Sequence, residues 1–156
     1  MPAEHLTFFL DTMLGRLARW LRLLGYDAAY ENEIGDWELI RRSGSEDRIL
    51  LTRDRDVMRR WQIARGRVVA FLVSSSDIME QIVEVATEFG LQPRPEARCP
   101  QDNSDLNTIS REEARGRVPP YVFKTQKDFH FCPACGRIFW KATHWERIEQ
   151  IRGRLA

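Results

Sequence analysis

Lysine is nearly missing from this chain of 156 residues: of 24 basic residues only Lys124, Lys127 and Lys141 are lysines, and none precedes Lys124. Positive charge therefore rests on arginine, whose planar fork suits bidentate contacts to phosphate and carboxylate; a plain compositional bias would produce the same count. No run approaches the roughly 18 consecutive apolar residues that a membrane span needs. The first residues also lack a basic segment followed by an apolar one, so a soluble, cytoplasmic protein without membrane contact is expected. G-x-S-x-G, the phosphate loop and G-x-G-x-x-G are absent, which removes support for a serine hydrolase, a nucleoside triphosphatase and a dinucleotide enzyme. Cysteine is scarce and late, at Cys99, Cys132 and Cys135. The last two form C-x-x-C, which in a chain without a secretory segment favours a metal over a disulfide. The net charge of +1 hides no strong polarity between the two halves.

What the chain does contain is strands that end in aspartate. Arg48-Ile49-Leu50-Leu51-Thr52-Arg53-Asp54-Arg55-Asp56 is an apolar run that stops in alternating acids and arginines. It reads as a buried strand delivering carboxylates to its C-terminal end, where open α/β sheets place their ligands. Leu6 to Leu10 runs into Asp11 in the same way. Helical spacing of Leu14, Leu17, Leu21 and Leu24 predicts a helix from Met13 to Leu24, ended by Gly25. A weak strand at Asp27 to Tyr30 follows, then a helix opened by Asp36. After the strand at Arg48 to Thr52 come a helix over Val57 to Ala64, a strand over Val68 to Val73, and a helix from Asp77 to Gly90. Alternation of this kind implies a doubly wound parallel sheet with helices on both faces. The Pro-rich stretch Gln92-Pro93-Arg94-Pro95-Glu96 sets an expected boundary at residue 94, giving units 1–94 and 95–156. In the second unit a strand is expected at Tyr121 to Phe123 and a final helix at His144 to Arg152.

Asp11, Asp36, Asp54 and Asp56 are the candidate catalytic acids. Any one of them alone is explained by capping, since an aspartate between a strand and a helix accepts bonds from orphan helix amides. If the first and third strands are neighbours, however, Asp11 and Asp54 meet at the switch point. Close carboxylates repel unless neutralised, so Mg2+ or Mn2+ is the expected third party. Such an ion activates water and stabilises both oxygens of a phosphodiester displacement without a histidine base. His5, His130 and His144 all lie away from the four aspartates in sequence. A response-regulator receiver has a similar layout, but it requires a lysine after a fifth strand, and this chain has none before Lys124.

With these residues in view, the chain resembles PIN-like ribonucleases of the Mut-seven C-terminal type, in which a compact PIN-like α/β domain precedes a zinc ribbon. The resemblance rests on Phe9-Leu10-Asp11-x-Met13-Leu14-Gly15-Arg16-Leu17-Ala18-Arg19-Trp20-Leu21-Arg22, on Gly25-Tyr26-Asp27 and on Leu50-Leu51-Thr52-Arg53-Asp54. In the tail it rests on Arg98-Cys99-Pro100, Asn103, Cys132-Pro133-x-Cys135-Gly136 and Trp140 with Thr143-His144-Trp145. It implies a metal-dependent endoribonuclease with Asp11, Asp36 and Asp54 as metal carboxylates, Asp56 as a fourth, and Arg16, Arg19 and Arg53 as phosphate contacts. Asp77 is read as a helix cap. RNA is the implied partner, and an inhibitory or RNA-associated protein is compatible with the pattern.

The chain departs from the family at one place. The first knuckle of the ribbon is normally C-x-x-C, but here it is Cys99-Pro100-Gln101-Asp102. Zinc would then take Cys99, Asp102, Cys132 and Cys135, or His130 or His144 would complete the site, or zinc would be weak or lost. A different class of function also fits: a non-catalytic RNA-binding module whose acids only cap helices, and whose tail binds single strands through Lys124, Lys127, Phe129, Phe131, Arg137, Trp140 and Lys141.

Overall fold

The computed structural model describes residues 5–140 and 143–155, with the backbone alone over 143–145. Lys141 and the side chains of His144 and Trp145 therefore lie outside the described residues. The chain runs β1 (Thr7–Leu10), a 3-10 turn (Thr12–Leu14), α1 (Gly15–Leu23), β2 (Asp27–Tyr30), α2 (Asp36–Ser45) and β3 (Ile49–Thr52). It continues through the short helices α3 (Arg55–Met58) and α4 (Trp61–Ala64) to β4 (Ala70–Leu72) and α5 (Ile78–Phe89). The tail holds β5 (Asn107–Ile109), α6 (Arg111–Ala114), α7 (Pro120–Thr125), β6 (Phe129–Phe131), β7 (Ile138–Trp140) and α8 (Thr143–Leu155).

The first four strands form one parallel sheet in the order β2-β1-β3-β4, and the last three form an antiparallel sheet in the order β5-β6-β7. Successive residues of a strand point to opposite faces, and the burial follows. Phe8, Leu10, Ile49 and Leu51 enter one apolar cluster with α1 and α5, whereas Phe9 and Leu50 enter another with Leu39, Ile40 and Val57. Both faces of the parallel sheet are thus covered, which is why its strands read as unbroken apolar runs. Because α1 and α3 leave adjacent strands toward opposite faces, the switch point lies between β1 and β3.

Several expectations are adjusted. The run Tyr121 to Phe123 is helical, not a strand: Pro120 occupies the first turn, where its missing amide costs nothing, and three apolar residues alone cannot distinguish the two states. The helix expected over Val57 to Ala64 is split into α3 and α4. The final helix begins at Thr143 and packs back against α5, with Ile151 fully buried in the first cluster. The tail has its own small cluster of Ala114, Val118, Val122 and Phe129. Among the described residues no helix is long and apolar enough to cross a membrane.

Candidate active site and metal centre

Asp11 follows β1 directly, and its amide bonds to the Leu51 carbonyl of β3 at 2.9 Å, which locks the two strand ends together. The residue is only 3% exposed. One carboxylate oxygen accepts from the Thr12 amide at 2.7 Å, and the other accepts from the Thr52 hydroxyl at 2.7 Å. The fully buried Thr52 hydroxyl in turn accepts from the Asp54 amide at 3.0 Å. One threonine therefore bridges the two aspartate loops at the switch point. Among the described residues Asp11 has no ion-pair partner, so its buried charge rests on neutral donors alone.

Asp54 is half-buried and caps α3 through the Asp56 amide at 2.8 Å. Asp56 is highly exposed and pairs with Arg59 at 3.2 Å. Asp36 is the first residue of α2, half exposed, with Arg60 at 4.0 Å. Asp77 accepts from the Glu80 amide at 3.0 Å, so it does cap α5. The structure thus links the Asp11 carboxylate to the Asp54 backbone amide through Thr52, while Asp36 and Asp56 lie in the first turns of α2 and α3 with arginine partners of their own. Among the described residues no three of these acids bring their oxygens within the 4.8 Å that marks the cysteine cluster below. Arg53 reaches the Ser74 carbonyl at 3.3 Å, and Arg19 reaches the Gln101 amide oxygen at 3.3 Å. Arg16 is exposed beside Arg19 in a cleft between α1 and the tail.

Sequence reasoning missed Thr52, whose signal was a hydroxyl ending an otherwise apolar run. It also missed Trp37 and Trp61, which are 67% and 52% exposed and lie under Arg41 and Arg67 at 5.8 and 5.5 Å.

The second constellation is the knuckle. Ligand atoms of Cys99, Asp102, Cys132 and Cys135 all lie within 4.8 Å of one another. The Cys99 and Cys135 sulfurs are 3.7 Å apart, and the Cys132 sulfur lies 3.5 and 3.4 Å from the two Asp102 oxygens. A tetrahedral zinc with its usual bond lengths puts two sulfurs about 3.8 Å apart and a sulfur and an oxygen about 3.5 Å apart. The four residues therefore fit a metal such as zinc, with Asp102 in the position of the missing thiolate. Burial pushes the Cys99 thiol up to about 12, whereas a bond from the Arg137 backbone draws Cys135 below its ordinary value. Burial also raises Asp102, but bonds from Ser104 and Cys132 outweigh it and hold the carboxyl low, ready to act as an anionic ligand. His130 points to a different cavity, among Leu23, Phe139 and Trp140.

The knuckle is tied to the parallel sheet by the tail residues that carry the family resemblance. Asn103 donates to Asp27 at 2.6 Å and accepts from the Ala28 amide at 3.0 Å. Arg48 donates to Asp27 at 2.7 Å, and buried Arg22 donates to the carbonyls of Ala28 and Pro100, each at 2.8 Å. Of the tail aromatics, Phe129 is core and Phe131 lies under Arg117.

No curated protein and no solved structure matches the chain. A model of the Mut7-C RNAse domain matches residues 6–152, from β1 into α8 and across both constellations. The chain belongs to the Mut7-C RNAse domain family.

Proposed function

We propose that this chain is a divalent-metal-dependent endoribonuclease with a PIN-like first unit over 1–94 and a zinc-ribbon-like second unit over 95–156, which hydrolyses RNA at the carboxyl edge of the parallel sheet. The observation that carries this reading is Asp11: a residue only 3% exposed whose carboxylate has no cation beside it among the described residues, so that a counter-charge arriving there would be favourable. Mg2+ or Mn2+, when bound, would supply that charge and lower the pKa of an attacking water. Asp11 and Asp54 are the residues to hold it, with Asp36 and Asp56 at the rim. Thr52 orients Asp11 through the 2.7 Å bond. Arg16, Arg19 and Arg53 would hold phosphate, and zinc on Cys99, Asp102, Cys132 and Cys135 would brace the tail.

The alternative, a non-catalytic RNA-binding module, draws on the cap bonds that Asp11 and Asp54 already make to Thr12 and Asp56. A panel of labelled single-stranded RNAs with added Mn2+ or Mg2+ separates the two. Cleavage should be abolished by Asp11→Asn and by Asp54→Asn with folding intact, because the amide keeps shape and a capping oxygen but loses the charge. Cleavage at the parental rate by either variant overturns the assignment.

A further inference from the structure

Arg16, Arg19 and Arg147 line a single cleft of about 320 Å3, walled by Pro100, Gln101 and Phe139, and among the described residues no acidic side chain lines it. Arg147 comes from α8 and the other two from α1, so the last helix and the first one build the cleft jointly. Several arginines, among them Arg41, Arg42, Arg48, Arg98, Arg115 and Arg154, have a carboxylate within ion-pair distance. Among the described residues none of the three cleft arginines has one, and Arg19 meets only the neutral Gln101 at 3.3 Å.

Three arginines that line one recess without a counter-charge focus a positive potential there. An oxyanion resolves this, and the planar arginine fork is matched to phosphate. We propose that this cleft is a phosphate-binding track for the RNA strand, with Arg147 as a contact supplied by the C-terminal helix. The proposal rests on RNA as the substrate but not on its cleavage. Arg16 lies in the first turn of α1, which Asp11 precedes by only the 3-10 turn, so one end of the track is close in the chain to Asp11. Its wall at Pro100 and Gln101 lies between the knuckle residues Cys99 and Asp102, which gives the metal centre a part in shaping the track.

The test is fluorescence anisotropy of a labelled uridine decamer binding the full chain without added divalent ion, read as log Kd against log salt concentration. Each phosphate contact to a single strand is worth roughly 0.7 units of slope. Arg147→Ala should lose about that much, and the triple variant with Arg16→Ala and Arg19→Ala roughly 2 units, with unfolding temperatures close to the parent. Arg147→Lys should keep the slope. Arg152→Ala, which removes the same charge from the same helix but from a residue paired with Glu149 at 3.4 Å, should leave the slope unchanged. A parental slope in Arg147→Ala, an equal loss in Arg152→Ala, or no salt-dependent binding by the parent overturns the proposal. If the slope falls as expected in a protein that cleaves nothing, the track stands and the nuclease reading fails.

Discussion

Replacing Thr52 with valine tests whether the two aspartate loops are held by one hydroxyl. Valine fills the same volume, so no cavity complicates the result. The bond lost to the Asp11 carboxylate has a charged acceptor, at 2.7 Å, and the Asp54 amide loses its acceptor at 3.0 Å. A bond to a charged group contributes about 1.5–3 kcal/mol and an ordinary one about 0.5–1.5, so the loss should be about 2–4 kcal/mol. In a chain of this length each kcal/mol moves Tm by about 2–4 °C, so a fall of roughly 5–15 °C is expected. Thr52→Ser keeps both bonds and removes only a methyl, which should cost about 1 kcal/mol. Urea unfolding of the parent and both variants supplies the free energies. A loss below about 0.5 kcal/mol in Thr52→Val, or a serine variant as unstable as the valine one, refutes the bridge.

Three further outcomes are expected. Asp102→Cys should retain zinc against a chelator that strips the parent, because a fourth thiolate closes the site more tightly than a carboxylate; elemental analysis after dialysis decides, and equal zinc loss sinks the idea. Burial alone would raise the Asp27 carboxyl, but bonds from Arg48 and Asn103 and the charge of Arg98 outweigh it and hold its pKa below the ordinary value. A lowered native pKa contributes stability above the unfolded value of about 3.9 and loses it as pH falls through the native one. The Tm gap between parent and Asp27→Asn should therefore be full at neutral pH and shrink below about pH 4, and a constant gap contradicts the linkage. Gly25→Ala should cost more than Gly90→Ala by chemical denaturation. Both glycines have positive φ, but a Cβ at Gly25 would meet the Arg94 Cβ at 2.6 Å and the Glu96 carbonyl at 2.7 Å, whereas Gly90 faces open space.

The parts of the fold that were legible were those in which one short window carries its own physics. Leu6 to Asp11 and Ile49 to Asp54 announced buried strands because both sides of each are covered, so no polar alternation interrupts them. The cysteine spacing with Asp102 likewise pointed to the four residues that do gather. Contacts between distant segments were not legible. Nothing near Thr52 says that its hydroxyl reaches Asp11, 41 positions away. Nothing in Arg147 says that it shares a cleft with Arg16. Tyr121 to Phe123 failed for a local reason, being too short for its period to be read past the two prolines.

The return of α8 to α5 also bears on how the protein is made and cut. During synthesis, β1 to α5 emerge long before Ile151 exists, so part of their apolar cluster stays open until the whole tail has followed. A stalled nascent chain would therefore present a sticky face to chaperones. A protease that nicks the Pro-rich stretch after α5 should release no fragment, because Ile151 in the first cluster and the 2.8 Å bond from buried Arg22 to the Pro100 carbonyl still join the two pieces.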